Sequence, residues 1–166
     1  AKDAEAYAKL GPIYSQLGLA VSPDDCSLAL RGLQTLAVRL EHLQRATLEV
    51  ANWLSEAPLV DEVFHPALPS CPGHEVWKRD FTGSTSVFSF TFKESVSPEQ
   101  VAQWLGTLNI FKIGMSWGGV TSLAVVYPEL DRPHRDYGGR LVRLNIGLEN
   151  TSDLIADLSA AMSEIK

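Results

Sequence analysis

The sequence predicts an α+β (α/β) fold, in which a small and mostly antiparallel sheet has helices packed on one face and is preceded by a long helix. Two observations predict it. From Pro23 to Ser55, apolar residues recur at steps of three and four, which is typical of one amphipathic helix. Beyond Pro58, short apolar or alternating runs are separated by helix starts and long loops, which is typical of paired strands with helices between them.

Composition narrows the class of protein. The 166 residues suffice for one folded domain, with 45% hydrophobic and 20% charged residues. No apolar run approaches the roughly 20 residues of a membrane-spanning helix, and the net charge of −6 disfavours nucleic acid, which requires a basic surface. Cys26 and Cys71 lie far apart without metal or redox spacing. We therefore expect a cytoplasmic protein with reduced thiols that binds neither nucleic acid nor membrane.

Residues 1–22 predict a short helix that continues a preceding part of the protein. Residues 3–10 have a helical pattern that Gly11 and Pro12 are expected to stop, and the following IYSQLGLAV fits either a strand or a helix. The first residues have neither the basic start nor the apolar core of a signal peptide. The chain is therefore expected to open in the middle of a helix.

Residues 23–57 predict the longest element. Ser22 is placed to cap it and Pro23 fits its first turn. One apolar stripe follows, formed by Leu33, Leu36, Leu40, Leu43, Thr47, Val50 and Leu54. Such a helix is roughly 50 Å long, more than the width of a small domain, so part of the stripe should pack outside the rest of this chain. Gly32 is the expected point of bending.

Residues 58–166 predict the sheet. VDEVFHP is a strand candidate, and a proline-rich loop and a helical turn around Trp77 follow it. The run Thr85–Lys93 alternates cleanly and is the clearest strand. Its expected core face carries Phe88, Phe90 and Phe92.

Two further helices lie among the remaining strands. A capping box at residues 97–100 predicts a helix that ends near Leu108. NIFKIG and LVRLNIG are strand candidates, and residues 151–153 are expected to cap the final amphipathic helix. The predicted order is long helix, strand, strand, helix, strand, strand, helix.

Arg143 is the most informative single residue. It lies in the middle of a predicted strand, between Val142 and Leu144, whose apolar pattern predicts burial. A buried guanidinium needs an anionic partner. That partner is either an Asp or Glu of the core, in a structural ion pair, or the carboxylate of a ligand, which the planar guanidinium binds with two hydrogen bonds. The residues alone leave both interpretations open.

The segment MSWGG, residues 115–119, directly follows a predicted strand, where backbone amides become accessible to a ligand. Simple packing explains Trp117 equally well, and a turn hydroxyl explains Ser116. The Gly-Gly pair also lacks the spacing of a phosphate-binding loop. The segment by itself is weak evidence for a site.

Other catalytic chemistry is not indicated. The histidines have no metal-binding spacing, so no zinc site is expected. They are His42, His65, His74 and His134. No Ser or Cys lies in a nucleophile-elbow motif, and Asp24 and Asp25 fit a helix start better than a catalytic dyad. Unaided, the residues support only a site for an acidic ligand.

Four stretches resemble segments of one known enzyme family. SLALRGLQTLAVRLEHLQ resembles a long helix between two domains, and HPALPSCPGHEVWKRDFTGSTSVFSF resembles a loop with the first strands of a small domain. MSWGGVTSL resembles an S-L-G-G segment with Trp in place of Leu, and RLVRLNIGLENTSDLIADL resembles a closing strand and helix. These are segments of the Cys/Met-metabolism enzymes that depend on pyridoxal phosphate (PLP) and share the aspartate aminotransferase fold (fold type I). Among these enzymes, the amino-acid sequence of the segments resembles the bacterial cystathionine beta-lyases most.

The resemblance implies the small domain of a carbon–sulfur lyase. In such enzymes the Arg of the R-L-x-I-G-L-E segment grips the α-carboxylate of the substrate, and Arg143 stands there; Ser116 and Trp117 would line the same pocket. The implied reaction is α,β-elimination of cystathionine to homocysteine, pyruvate and ammonia, in transsulfuration and methionine biosynthesis. The implied cofactor is PLP, and the implied assembly is a homotetramer.

The resemblance also implies that this chain carries no catalytic and no cofactor-binding residue. The PLP lysine of the family follows Ser-x-[Ser/Thr], and none of the six lysines has these neighbours. They are Lys2, Lys9, Lys78, Lys93, Lys112 and Lys166. We therefore expect the isolated chain to be inactive without a large PLP-binding domain as its partner.

The expected organisation has three parts. Residues 1–22 are a remnant of the large domain, residues 23–57 are the helix between domains, and residues 58–166 are the small domain. Two alternatives stay open. One is a non-catalytic module that binds a small carboxylate or has a structural role, and the other is the small domain of a related cysteine or cystathionine carbon–sulfur lyase.

Overall fold

The computed structural model describes residues 1–128 and 135–165, in two compact units, Ala1–Ala37 and Val38–Lys166. The helices and strands of the described residues are α1 (Ala4–Gln16), α2 (Pro23–Leu33), α3 (Leu36–Glu56), β1 (Val60–Phe64), α4 (His74–Asp80), β2 (Val87–Phe92), α5 (Pro98–Thr107), β3 (Lys112–Ile113), β4 (Leu123–Tyr127), β5 (Leu141–Asn145) and α6 (Thr151–Ser163). In the described part of the chain, no helix has both the length and the apolar composition that crossing a membrane requires.

The first unit contains helices with defined starts. The Asp3 carboxylate accepts the Ala6 N–H at 2.8 Å, and the Ser22 hydroxyl accepts the Asp25 N–H at 3.0 Å. The predicted cap at Ser22 is confirmed. The predicted stop at Pro12 is wrong, because α1 runs through it. The fixed φ of proline is itself helical, so the helix continues past Pro12 although that residue has no N–H to donate.

The long helix predicted over residues 23–57 is two helices in the structure. Helix α2 ends at Leu33 and α3 begins at Leu36. Between them the N–H of Thr35 donates to the carbonyl of Gly32 at 3.3 Å, a tighter turn than the α-helical one. The bend expected at Gly32 thus takes the form of a break immediately after it.

The sheet has the strand order β1-β2-β5-β4-β3, and its neighbours are antiparallel except for the parallel pair β3 and β4. The strands predicted in VDEVFHP, in Thr85–Lys93 and in LVRLNIG are confirmed as β1, β2 and β5. NIFKIG provides only the two residues of β3, and β4 is a strand that the sequence analysis missed. The predicted α+β class with a mostly antiparallel sheet is confirmed.

Helices α3, α5 and α6 contribute to the core that covers one face of this sheet, as predicted. Phe88, Phe90 and Phe92 are buried on that face. Trp104 of α5 packs edge to face against Phe90 and Phe92, with ring centroids 6.0 and 5.1 Å apart. The other helix side chains in the core include Ala46, Val50, Leu54, Val101, Leu154 and Leu158.

The two later helix starts have side-chain caps. At α5 the Ser97 hydroxyl accepts the Gln100 N–H at 3.3 Å, and the Gln100 side chain accepts the Ser97 N–H at 2.8 Å, so the predicted capping box is confirmed. At α6 the cap is Asn150, whose side chain accepts the Ser152 N–H at 3.0 Å. The cap predicted at residues 151–153 is therefore wrong, because Asn150 is the last extended residue before the helix and offers the required oxygen.

A buried carboxylate fixes the connection between α5 and β3. Asp157 of α6 accepts the N–H groups of Asn109 and Ile110, both at 2.9 Å. Hydrogen bonds to a charged acceptor are stronger than neutral ones. Asp157 therefore joins the last helix to the turn that leads into the edge of the sheet.

Candidate carboxylate-binding site

Arg143 lies at the centre of β5, on the face of the sheet opposite the helices. It is in register with Ser89 of β2 and Val125 of β4, and the flanking residues Val142 and Leu144 are buried in the core. Because side chains alternate along a strand, Arg143 projects from the other face. Its side chain is half-buried there. The guanidinium is thus near the surface of the sheet and outside the hydrophobic core.

The guanidinium has a buried donor without a partner. Its Nη2 donates to the carbonyl of Met115 at 2.7 Å and lies 3.4 Å from the carbonyl oxygen of Ser116. Its Nε is buried and makes no hydrogen bond. An unsatisfied buried donor costs about 1–3 kcal/mol, so a ligand acceptor at this atom would remove an existing penalty.

The structural ion pair, one of the two interpretations of Arg143, is not found. Among residues 1–128 and 135–165, no Asp or Glu lies within ion-pair distance of its guanidinium. A carboxylate is the acceptor that best matches two guanidinium donors. The site is therefore chemically suited to a carboxylate that the described protein residues do not supply.

The loop between β3 and β4 places Ser116 and Trp117 beside Arg143. Both side chains are exposed, and the centre of the Trp117 ring lies 6.0 Å from the guanidinium carbon, within cation–π range. Gly118 follows with a φ of 76°, a conformation that favours glycine. The structure thus brings the three predicted site residues together, while their roles stay predictions.

Two residues that were not predicted from the sequence hold this loop, and Asn145 is the first. Its side chain accepts the N–H of Gly118 at 2.9 Å and donates to the carbonyl of Thr121 at 3.2 Å. Asn145 comes two positions after Arg143 on the same strand. That spacing was an available signal, because it predicts that both side chains project from the same face.

Glu149 is the second missed residue. Its carboxylate accepts both the N–H and the hydroxyl of Ser122 at 2.8 Å, and the same hydroxyl accepts the N–H of Gly147 at 2.8 Å. A Cβ on Gly147 would lie 2.7 Å from the Ser122 nitrogen, so the close approach of these two segments requires glycine. Glu149 therefore fixes the end of the loop where β4 begins.

The histidines do not form a metal site in the described residues. The ring of His65 is buried, and this burial lowers the pKa of His65 below its ordinary value. His74 has its Nδ1 at 2.8 Å from the carbonyl oxygen of Pro66. In the part of the chain that the structure describes, no group of three or more His, Cys, Asp or Glu residues could hold a metal ion. His134 lies outside the described residues.

The residues at Arg143 fit a carboxylate and do not fit PLP itself. PLP needs a lysine amine at its aldehyde carbon, and neither the loop of residues 114–122 nor β5 contains a lysine. Lys112, the lysine before that loop, donates its Nζ to the carbonyl of Asn109 at 2.7 Å. Lys166 lies outside the described residues. No catalytic step through PLP therefore follows from this site.

Known proteins with similar sequences include a lyase and a racemase. The cystathionine beta-lyase of Escherichia coli (strain K12) is 46% identical over 155 residues, which are 90% of this chain and 39% of that protein. The L-alanine/L-glutamate racemase of Wolbachia pipientis wMel is 37% identical, over 98% of this chain and 41% of that protein. The chain thus spans about two fifths of the length of the curated relatives it matches.

A solved structure from Campylobacter jejuni has the same fold. It is described as an O-acetylhomoserine (thiol)-lyase, contains N′-pyridoxyl-lysine-5′-monophosphate, and matches with a TM-score of 0.77 and 32% sequence identity over 89% of this chain and 34% of that one. The family model described as "Cys/Met metabolism PLP-dependent enzyme" matches residues 1–163. With nearly every residue covered by that model, the chain belongs to the Cys/Met-metabolism family of PLP-dependent enzymes.

Proposed function

We propose that this chain is the substrate-carboxylate-binding part of a PLP-dependent carbon–sulfur lyase that acts on cystathionine. The observation that carries the proposal is Arg143, whose buried Nε has no partner while Nη2 is held by a loop carbonyl. The similarity to proteins named cystathionine beta-lyase supports the choice of substrate.

The proposed reaction is α,β-elimination of cystathionine to homocysteine, pyruvate and ammonia, in methionine biosynthesis by transsulfuration. PLP, held by residues outside the site described above, would supply the electron sink. Arg143 holds the α-carboxylate, and Ser116 and Trp117 border it on the loop side. The contribution of this chain is orientation of the substrate, which alone can account for a large part of a rate enhancement.

The proposed organisation is a remnant of a large PLP domain at residues 1–22, an interdomain segment at residues 23–57 and the small domain at residues 58–166. The apolar stripe of the predicted long helix supports it. Its later residues Leu43, Val50 and Leu54 are buried, whereas Leu33, Leu36 and Leu40 are exposed. We propose that a large PLP domain covers these exposed residues, in a cytoplasmic homotetramer.

The test is a hybrid enzyme in which this chain replaces the corresponding segment of the Escherichia coli cystathionine beta-lyase. Arg143→Ala in the hybrid removes the guanidinium that is proposed to bind the α-carboxylate, here called the carboxylate clamp. It should raise the KM for cystathionine by about 100-fold, the equivalent of two lost charge-assisted hydrogen bonds. The cofactor absorbance should not change, because Arg143 is not proposed to contact PLP. Pyruvate release measures the rate.

Arg79→Ala is the matched control for this test. Arg79 is an exposed arginine on α4 whose ion-pair partner among residues 1–128 and 135–165 is its neighbour Asp80, so its loss should leave the KM unchanged. An Arg143→Ala hybrid whose KM stays within about twofold of the parent, with cofactor bound, would contradict the carboxylate clamp.

The isolated chain gives a second test. Mixed with PLP and cystathionine, it should show neither a shifted cofactor absorbance nor pyruvate, since the lysine pattern of the family is absent. Turnover by the isolated chain would mean that one of its six lysines binds PLP, and the proposed division of labour would be wrong.

In the alternative functions Arg143 still binds a carboxylate, but the reaction is a different one or there is none. The similarity to a racemase and to an O-acetylhomoserine (thiol)-lyase favours a related amino-acid reaction as the second candidate, including another cysteine or cystathionine carbon–sulfur lyase. Product analysis of the hybrid with several thioether amino acids separates them. A non-catalytic module would bind the carboxylate in the isolated chain and add nothing to turnover.

A further inference from the structure

Asn145 is a fully buried amide on the face of the sheet opposite the helices, here called the open face. It follows Arg143 by two positions on β5, so the two side chains project from the same face. Only 1% of Asn145 is exposed, whereas Arg143 is half-buried. A buried amide is costly unless its donors and its acceptor are paired. The partners of Asn145 therefore show what the residue holds in place.

These partners belong partly to the sheet and partly to the loop. The Oδ1 of Asn145 accepts the Ser86 hydroxyl at 2.8 Å and the Gly118 N–H at 2.9 Å. Its Nδ2 donates to the carbonyl of Thr121 at 3.2 Å. The two bonds to the loop thus fix it at Gly118 and at Thr121, while the Ser86 bond links the same amide to the sheet.

The Gly118 hydrogen bond acts directly on Trp117. The N–H of Gly118 belongs to the peptide plane that begins at the carbonyl of Trp117, so Asn145 sets the orientation of that plane. On the other side, Arg143 Nη2 holds the carbonyl of Met115 at 2.7 Å. Ser116 and Trp117 therefore lie between two anchor points that belong to the same strand.

This arrangement couples the loop to the guanidinium. Because Nη2 is partly occupied by the Met115 carbonyl, a displaced loop would change which Arg143 donors face a ligand. It would also move the Trp117 ring from its position 6.0 Å from the guanidinium carbon. A displacement of this kind alters binding even though no ligand contact is deleted.

We propose that Asn145 is a positioning residue, which holds residues 115–121 so that Ser116 and Trp117 flank the carboxylate site at Arg143. Its effect on catalysis rests on the proposed function. Its effect on the loop does not, and can be measured without substrate.

The loop is tested in the 166-residue chain by fluorine NMR with 5-fluorotryptophan. The chain has four tryptophans, and Trp117→Phe assigns the resonance of the loop. Asn145→Ser keeps a hydroxyl beside Ser86 but is too short to reach Gly118 and Thr121. The Trp117 resonance should shift or broaden in this variant, while the other three resonances stay in place.

Ser86→Ala is the matched control. It removes a hydrogen bond from the same Oδ1 of Asn145 without removing either bond to the loop. It should lower stability and leave the Trp117 resonance unchanged. An unmoved Trp117 resonance in Asn145→Ser, or an equal movement of all four resonances, would overturn the proposal. So would an effect of Ser86→Ala equal to that of Asn145→Ser, since the role would then be purely structural.

Kinetics in the hybrid enzyme add the functional readout. Asn145→Ser should raise the KM for cystathionine about tenfold, as expected for the loss of roughly 1.4 kcal/mol of binding, with a smaller change in kcat. Ser86→Ala should leave both constants unchanged. A hybrid without substitutions that fails to release pyruvate counts against the proposed function alone, because the fluorine experiment still decides the role of Asn145.

Discussion

The two faces of the sheet differ in the polarity and the burial of the side chains that they carry. On the helix-covered face, the apolar side chains of Phe90, Val142 and Leu144 have no exposed surface. On the other face, directly adjacent in the strands, Ser89 and Arg143 are half-buried, and Arg143 has an unpartnered Nε. The first face is packed into the core, whereas the second carries a half-buried charge with an unsatisfied donor that a ligand can pair. This is the pattern expected where recognition is placed on a rigid scaffold.

The largest expected effect comes from the helix-covered face. Phe90→Ala should lower the free energy of unfolding by about 3–5 kcal/mol, because it removes a buried ring and leaves a cavity beside Phe92 and Trp104. Urea unfolding of the 166-residue chain measures this. The matched control is Ser89→Ala, one residue earlier on the opposite face, which should change stability by no more than about 0.5 kcal/mol. Equal losses in the two variants would refute the difference between the faces.

The next largest effect comes from the helical layer that covers the same face. Asp157→Asn replaces a carboxylate oxygen that accepts an N–H group with an NH2 group that cannot accept it. The free energy of unfolding should therefore fall by about 2 kcal/mol. Asp153→Asn, an exposed change in the first turn of the same helix, should cost less than about 1 kcal/mol. Urea unfolding again separates the two. A loss at Asp157 no larger than at Asp153 would show that the turn at Asn109 does not depend on this carboxylate.

Sequence patterns predicted the helix-covered face well, because its signals are local. The alternation of three phenylalanines in β2 needs no knowledge of the partner strands, and the capping box of α5 lies within four adjacent residues. Local patterns failed where pairing decides the structure. Residues 123–127 are apolar throughout and have no period of two, so β4 is defined by its pairing with β5.

Only part of the candidate site could be predicted from the sequence, for the same reason. Arg143 was conspicuous as a charge within an apolar run, but its choice between a protein carboxylate and a ligand depends on which groups the fold brings near it. The anchors of the loop act over long sequence distances, since Asn145 and Gly118 are 27 residues apart, as are Glu149 and Ser122. Such partners cannot be read from spacing without the register of the strands.

A smaller effect is expected on the open face, and it tests whether Arg143 is retained for binding. Arg143→Met should lower the free energy of unfolding by no more than about 0.5 kcal/mol, because a linear apolar side chain replaces a half-buried charge with an unsatisfied donor. The same variant should raise the KM for cystathionine in the hybrid enzyme by about 100-fold, as Arg143→Ala does. Urea unfolding and the KM for cystathionine are the two measurements. A stability loss of about 2 kcal/mol or more would instead make Arg143 a structural residue.

The smallest effect is a pH dependence at His65, a buried polar residue that packs against Phe88 on the covered side. Burial lowers the pKa of His65 below its ordinary value of 6.5. Below pH 6.5 the unfolded chain therefore binds a proton at this position that the folded chain binds only at lower pH. The free energy of unfolding should accordingly fall as the pH falls from 6.5 towards the folded pKa, with no contribution from His65 above 6.5.

His65→Gln should remove this part of the pH dependence, because glutamine does not titrate. Val63→Ala is the matched control, since it removes a buried side chain of β1 without removing a titratable group, and its slope against pH should equal that of the unchanged chain. Urea unfolding of the three proteins at several pH values between 5 and 7.5, an interval that brackets an ordinary histidine pKa at about 6.5, supplies the slopes. If the His65→Gln slope is as steep as the other two, burial does not hold His65 neutral, and the covered face tolerates a charge at its edge.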